Sequence, residues 1–153
     1  MYNKLFFKFI LFSSITMAAV LYVPAEFSTI QGAIEASANG DSVLVSPGFY
    51  PETINFEGKS ITVTSLYLIG GDSLLIGTTI IDAQESGSVA TFSSGEDSGS
   101  KLQGFTLQNG TGNDEDPDEN GSYYTYGGGI YFENSNPTIK DCIIRDNVAN
   151  EGG

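Results

Sequence analysis

A pattern of polar and apolar residues recurs in the second half of the chain at a fixed spacing. The segment KLQGFTLQN, which starts at Lys101, aligns with TIKDCIIRD, which starts at Thr138. The matched apolar pairs are Leu102 with Ile139, Phe105 with Cys142, and Leu107 with Ile144. A short repeated unit of this kind cannot bury its apolar face alone and must stack on its neighbours. The repeat therefore predicts a solenoid.

Residues 126–147, YGGGIYFENSNPTIKDCIIRDN, show the shape of one repeating unit. Apolar strands are predicted at Ile130–Phe132 and at residues 139–144, on either side of a turn at Asn134, Ser135, Asn136 and Pro137. Such a unit predicts one coil of a right-handed parallel β-helix, which needs roughly 20 to 25 residues. The spacing of the repeat is larger because a polar loop insert occupies residues 110–126. The predicted fold class is all-β.

The first half of the chain predicts a helix followed by short strands. A helix is expected over residues 26–39, with Ser28 and Gln31 as a capping box and Gly40 as its stop. Strand patterns follow at residues 42–46, 53–56, 61–65, 79–82 and 89–92, with a corner at Pro47-Gly48 and a turn at Gly70-Gly71-Asp72. We therefore expect an N-terminal cap with a helix at residues 23–41 and β-helix coils over 42–153.

The last residues repeat the opening of a coil. Glu151-Gly152-Gly153 corresponds to Gly127-Gly128-Gly129, which precedes a strand. This similarity predicts that the chain is truncated and that further C-terminal coils belong to the complete protein. A catalytic centre would then be free to lie in those coils.

The N-terminus has the layout of a secretory signal peptide. Lys4 and Lys8 precede an apolar run over residues 9–20, which ends at the small residues Ala18 and Ala19. We predict a signal peptide over residues 1–22, cleavage near residues 19–22, and a secreted or cell-surface protein with no membrane span after cleavage. A retained anchor is the alternative, although the run is short for a span of about 20 residues.

The charge and the cysteine content exclude some classes of partner and bond. The chain has 6 Lys and Arg against 19 Asp and Glu, a net charge of −13. Such a surface repels nucleic acid, anionic membranes and unshielded polyuronates, and it also favours solubility. Cys142 is the single cysteine, so no intrachain disulfide forms, and its place in the repeat predicts a small buried apolar residue.

The loop insert carries an acidic sequence that resembles a calcium loop. Asp116, Asp118 and Asn120 alternate before Gly121, as in the first half of an oxygen-rich Ca²⁺ site. Asp114 is a further oxygen donor. The twelfth position of such a loop is a glycine here, where a bidentate Glu is expected. Two interpretations stay open: a Ca²⁺ site, or a self-repelling acidic loop.

Three tyrosines follow the acidic residues. Tyr123, Tyr124 and Tyr126 have flat apolar faces with polar tips, which suit stacking on sugar rings. A long loop that projects from a solenoid is a natural binding site. They are the predicted ligand-binding residues, and the alternative is that they hold the loop against its own coil.

Residues 23–65 resemble the N-terminal region of secreted right-handed β-helix proteins of the pectin-lyase-like superfamily. The resemblance continues through TTIIDA, GFTLQNG and GGGIYFENSNPTIKDCIIRDN. It implies the β-helix fold and an elongated surface for polysaccharide. Members include pectate lyases, polygalacturonases, pectin methylesterases and repeat proteins with no known reaction. GGGIY and NPTIKDC are most similar to the last group.

The catalytic residues of the superfamily do not carry over to this segment. The glutamines that the resemblance to pectin methylesterases implies are missing at residues 126–130 and after Cys142. Arg145 and Asp146 are neighbours, and on a strand such neighbours point to opposite faces, which disfavours Arg145 as a catalytic base. No catalytic residue is predicted. Three functions stay open: a polysaccharide-binding repeat protein, the front of a lyase or glycosidase with a downstream site, and a structural adhesin or spacer.

Overall fold

The computed structural model describes residues 17–114 and 124–152, and within these ranges strands dominate. The helices are α1 (Ile30–Ala36), α2 (Tyr67–Gly70) and α3 (Leu74–Thr78). The strands are β1 (Val20–Val23), β2 (Ser42–Val45), β3 (Gly48–Pro51), β4 (Ile54–Asn55), β5 (Thr62–Ser65), β6 (Thr79–Asp82), β7 (Ala90–Phe92), β8 (Lys101–Gln103), β9 (Thr106–Gln108), β10 (Asn113–Asp114), β11 (Thr125–Tyr126), β12 (Ile130–Phe132), β13 (Thr138–Lys140) and β14 (Ile143–Arg145). None of these helices is long and apolar enough to span a bilayer.

Three sheets consist of parallel pairs. Sheet A has the order β1-β2-β5-β8-β13, sheet B has β3-β6-β9-β14, and sheet C has β4-β7-β12. From β2 onward the chain visits the sheets in the order A, B, C, and each visit pairs with the preceding strand of that sheet. We call one passage through the three sheets a circuit.

The pairing register confirms the sequence repeat. Leu102 pairs with Ile139 in sheet A, and Leu107 pairs with Ile144 in sheet B. The register of sheet B also continues toward the third matched pair, because the amide of Ile143, next to Cys142, donates to the carbonyl of Phe105 at 2.8 Å.

One predicted strand is wrong in its extent. Residues 139–144 form two strands, β13 and β14, because Asp141 lies between them in the left-handed region at φ 51°. Gly104 has φ 81° at the equivalent place between β8 and β9. Glycine adopts this backbone without strain, and Asp is among the few other residues that tolerate it. The bend turns the chain from sheet A into sheet B.

A cluster of apolar side chains forms the core between the sheets. Its fully buried large side chains are Phe56, Phe92, Phe105, Ile30, Ile34, Ile54, Ile61, Ile81, Leu102, Leu107, Val23 and Val43. Each contributes about 1.5 to 3 kcal/mol by leaving water. Cys142 is partly buried and packs against this cluster, as the repeat predicts for an inward position.

Helix α1 packs against β1, β2 and β4, the first strands of sheets A and C. It buries Ile30, Ala33 and Ile34. This places it at the opposite end of those sheets from β12 and β13.

The predicted boundaries and capping box of α1 are wrong. Its N-cap is Thr29, whose hydroxyl accepts from the Gly32 amide, and its C-cap is Ser37, so the helix ends before the predicted stop at Gly40. Gln31 does not return to the N-cap, because its side-chain oxygen accepts from the Asn55 amide. The Glu52 carboxylate instead accepts from the first two helical amides, at 2.9 Å each.

Four further elements differ from the sequence-based expectations. Strand β1 spans the end of the predicted signal peptide, so a boundary after residue 22 divides it. Strand β3, which the sequence does not predict, begins at Gly48, so the predicted corner at Pro47-Gly48 lies where the chain passes from sheet A to sheet B. Helices α2 and α3 flank the predicted turn at Gly70-Gly71-Asp72. These helices have four and five residues, too short for a periodic apolar pattern.

Candidate functional site

The loop insert leaves the circuit through a short antiparallel stem. Asn113 of β10 pairs with Tyr126 of β11, and Asp114 pairs with Thr125. The Asn150 side chain accepts from the amide of Thr125 at 2.8 Å and so ties the stem to the residues that follow β14. The stem therefore has a fixed position beside sheet C.

An open pocket of about 560 Å³ lies next to this stem. It is lined by Tyr126, Gly127, Ile130, Tyr131, Phe132, Glu151 and Gly152. Tyr126 forms a parallel bridge with Glu151, and this bridge joins the base of the insert to the chain after β14. The volume falls within the range of roughly 300 to 1,000 Å³ that is typical of small-ligand sites.

A stack of three phenylalanines reaches one wall of the pocket. Phe56 and Phe92 have ring centroids 4.4 Å apart, and Phe92 and Phe132 lie 5.6 Å apart. Phe56 and Phe92 are fully buried, whereas Phe132, on the edge strand β12, is 49% exposed. The core thus ends in an aromatic face that is open to the pocket.

The lining combines groups that suit a carbohydrate. Aromatic faces stack on the C–H surface of a sugar ring. The carboxylate of Glu151 is a strong acceptor for sugar hydroxyls, and a tyrosine hydroxyl both donates and accepts. Such a lining can hold a polyhydroxylated ring by stacking and by hydrogen bonds.

The structure separates the three predicted tyrosines. Tyr126 lines the pocket, and its role as a ligand-binding residue stays a prediction. Tyr124 is 42% exposed but does not line it, and Tyr123 lies outside the described residues. Tyr131 and Phe132 also line the pocket. The sequence does not identify them, because the apolar pattern of Ile130–Phe132 predicts only a core strand.

The predicted calcium ligands fall mostly outside the described residues. Asp116, Asp118 and Asn120 lie there, and Asp114 is described only as part of β10. Within residues 17–114 and 124–152, no group of three or more His, Cys, Asp or Glu side chains is arranged to hold a metal ion. Calcium binding by this loop stays a prediction.

A ladder of polar side chains crosses sheet B and is missed by the sequence analysis. Arg145 donates to the Gln108 side-chain oxygen at 2.8 Å, and the Gln108 amide donates to Asp82 at 2.7 Å. Asn109 donates to the same Asp82 oxygen at 2.8 Å. Burial alone raises the pKa of Asp82, but the bonds from Gln108, Gln84 and Asn109 outweigh it, so the pKa lies below its ordinary value.

The ladder has a structural role rather than a catalytic one. The oxygens of Asp82 already accept three hydrogen bonds, so the carboxylate is a poor proton acceptor at neutral pH. Arg145 Nε lies 3.8 Å from Asp146 Oδ2, so the two side chains meet and the expectation that they point to opposite faces is wrong. Asp146 follows β14 with φ 54°, so the alternation of a strand does not extend to it.

Glu96 is a second buried acid that joins three circuits. Its carboxylate accepts from the amides of Gly58 and Ser94 and from the hydroxyl of Ser135, at 2.8 to 2.9 Å. Burial raises its pKa, and these hydrogen bonds lower it further than burial raises it, so the net pKa lies below the ordinary value. Glu96 therefore fixes the turns that join sheets C and A.

Comparisons with known proteins leave the chain without an assigned family. A scan against protein-family models, a search of curated proteins and a search of solved structures each found no match. The resemblance to the pectin-lyase-like superfamily accordingly stays a prediction from the motifs.

Proposed function

We propose that this chain is part of a secreted or cell-surface, right-handed parallel β-helix protein of the pectin-lyase-like type, and that it binds extracellular polysaccharide without cleaving it. The ordered succession of sheets A, B and C supports the β-helix, each circuit being one coil. The apolar face of α1 on the first strands supports its role as the N-terminal cap.

One observation carries the binding proposal: the pocket formed by Tyr126, Tyr131, Phe132 and Glu151. A sugar ring can stack on the aromatic walls of the pocket and donate hydrogen bonds to its single carboxylate. The pocket lies open beside the base of the insert, so a longer polymer can extend beyond it. The three buried acids of the described residues, Asp41, Asp82 and Glu96, are all engaged by hydrogen bonds, which favours binding over hydrolysis.

The net negative charge of the chain limits which class of polysaccharide it can bind. A chain with a net charge of −13 repels polyuronates, so neutral glycans are the expected ligands. Polyuronates bind only where a cation bridges the two acidic surfaces. Ca²⁺ held by Asp114, Asp116, Asp118 and Asn120 is the proposed bridge.

The test compares glycan binding by the wild type and by matched tyrosine variants. Titration calorimetry with neutral oligosaccharides, and with oligogalacturonate with and without Ca²⁺, identifies the ligand class. Tyr126→Ala removes a stacking face and is expected to weaken binding about tenfold, in line with the 0.5–1.5 kcal/mol of an aromatic contact plus its buried area. Tyr22→Ala, a half-exposed tyrosine in β1, is the matched control and leaves binding unchanged.

A second candidate function is favoured by the open edges of the sheets. The edge strands β12 and β14 expose Phe132, Ile143 and Ile144 by 45 to 50%. Such edges are templates for further strands. On this alternative the chain is the capped front of a longer solenoid, which is a polysaccharide lyase or glycoside hydrolase with a downstream site, or an adhesin or spacer.

The two candidates are separated by sequencing the gene past Gly153 and extending the chain by whatever coils it encodes. If saccharide binding and its dependence on Tyr126 persist in the extended protein, the pocket is a binding site. If the added coils abolish saccharide binding and bury Phe132, the pocket is the surface on which the next coil packs. Hydrolysis or elimination products from the extended protein identify the enzyme.

A further inference from the structure

Strand β1 is an integral part of sheet A. Val20–Val23 pairs residue by residue with Ser42–Val45 of β2. Leu21 and Val23 are buried in the core. Cleavage within or after β1 would therefore remove a strand and expose the apolar edge of β2.

Ala19 also belongs to this ladder, although it precedes β1. Its carbonyl accepts from the Ser42 amide at 2.9 Å, and its own amide donates to Asp41 Oδ1 at 2.7 Å. The second oxygen of Asp41 accepts from the Ala38 amide at 2.8 Å. Asp41 is thus held between the end of the helical segment and the nitrogen of Ala19, while residues 17–20 are exposed.

The sequence around Ala18 fits the small-residue pattern of a leader-peptidase site. A cut after Ala18 places Ala18 at the first position before the bond and Thr16 at the third. A cut after Ala19 places the large side chain of Met17 at the third position. The A-x-A-like preference for small residues at these two places favours the first bond.

We propose that the exported chain is hydrolysed between Ala18 and Ala19, and that the new amino terminus forms an ion pair with Asp41. Water adds across the peptide bond, which leaves a carboxylate on Ala18 and an α-ammonium on Ala19. The nitrogen that donates to Asp41 as an amide then donates as a charged group. Its 2.7 Å separation from Oδ1 lies in the range of charge-assisted N–H···O bonds, about 2.7 to 2.9 Å.

After cleavage at this bond, the ion pair with Asp41 holds the first strand of the mature protein at its N-terminal end. The ion pair joins the chain terminus to the residue that precedes β2, so the end of sheet A is held where termini usually fray. Asp41 becomes a positioning residue for the mature N-terminus. The inference rests on the proposed export of the chain and is independent of polysaccharide binding.

The direct test is the mass and N-terminal sequence of the protein recovered from the medium of a secreting host. The expected product begins at Ala19. A product that begins at Val20 or later overturns the assignment of the bond while export stands. A chain that keeps its leader overturns both the assignment and the proposed export.

The ion pair is tested by NMR titration of the α-amino group of the chain that begins at Ala19. The neighbouring carboxylate favours the charged amine, so its pKa is expected above the ordinary value of about 7.7 to 8.0. Asp41→Asn is expected to return it to that range. An ordinary pKa in the wild type contradicts the ion pair, and this reading holds even if Asp41→Asn fails to fold.

Discussion

Phe132 stacks on Phe92 with ring centroids 5.6 Å apart, yet Phe92 is fully buried and Phe132 is 49% exposed. The two residues are paired in sheet C and occupy the same inward position in successive circuits. Their different exposure shows that the aromatic core continues to an open face, and that face forms a wall of the pocket. The same side chain thus serves packing and is available for binding.

The stack predicts unequal losses of stability along its length. Phe92→Ala leaves a cavity between two rings and is expected to lower the free energy of unfolding by about 3 to 5 kcal/mol. Phe132→Ala removes a half-exposed ring, and about 1 to 2 kcal/mol is expected. Urea denaturation of both variants measures the difference, and equal losses would show that Phe132 is buried in solution.

Glu52 is predicted to stabilise the capping helix from outside it. Glu52→Ala removes the acceptor of the Ile30 and Gln31 amides and is expected to lower stability by about 1 to 2 kcal/mol, as for the loss of a helix cap. Glu35→Ala, on the exposed side of α1, is the control and is expected to change stability by less than about 0.5 kcal/mol. Similar losses in both variants would argue against the Glu52 cap.

The Glu96 carboxylate is predicted to account for part of the loss of folding stability at acid pH. Its folded-state pKa lies below the ordinary value of 4.5, so its contribution is present above that value and is lost as the pH falls through the folded pKa. Glu96→Gln is expected to lower the Tm at neutral pH and to flatten the fall of Tm on acidification. Glu133→Gln, an exposed acid, serves as control. An unchanged slope in Glu96→Gln would refute the role of its carboxylate.

Calcium binding by the loop insert predicts a ligand-dependent Tm. A cation that binds the folded chain raises the midpoint of unfolding, here in millimolar Ca²⁺. Asp116→Ala/Asp118→Ala is expected to abolish the rise, while Glu35→Ala/Glu133→Ala removes the same charge elsewhere and preserves it. No rise in the wild type, or a rise that survives the first double variant, counts against the site.

The strand-rich character of the chain and the repeat in its second half were accessible from the sequence, because the spacing of that repeat is explicit. A constant spacing between KLQGFTLQN and TIKDCIIRD predicts the pairing of Leu102 with Ile139 and of Leu107 with Ile144, which the structure confirms. The break at Asp141 was not predicted, since the apolar pattern runs through it and only its left-handed backbone interrupts the strand.

The candidate site was less accessible, because it depends on the stacking of circuits of different length. Asp82 meets Gln108 across 26 residues, whereas Gln108 meets Arg145 across 37 residues. Tyr126 reaches Phe132 and Glu151 only after the stem and the following circuit are in place. A pattern along the chain predicts neighbours within one circuit, whereas these contacts require the register between circuits.

The most direct test of the account is a crystal structure of the chain with the neutral oligosaccharide that binds it best in solution. The account predicts a sugar ring stacked on Tyr126 in the pocket, with a hydroxyl donating to the Glu151 carboxylate. A saccharide bound elsewhere on the chain, or an empty pocket at saturating ligand, would contradict it.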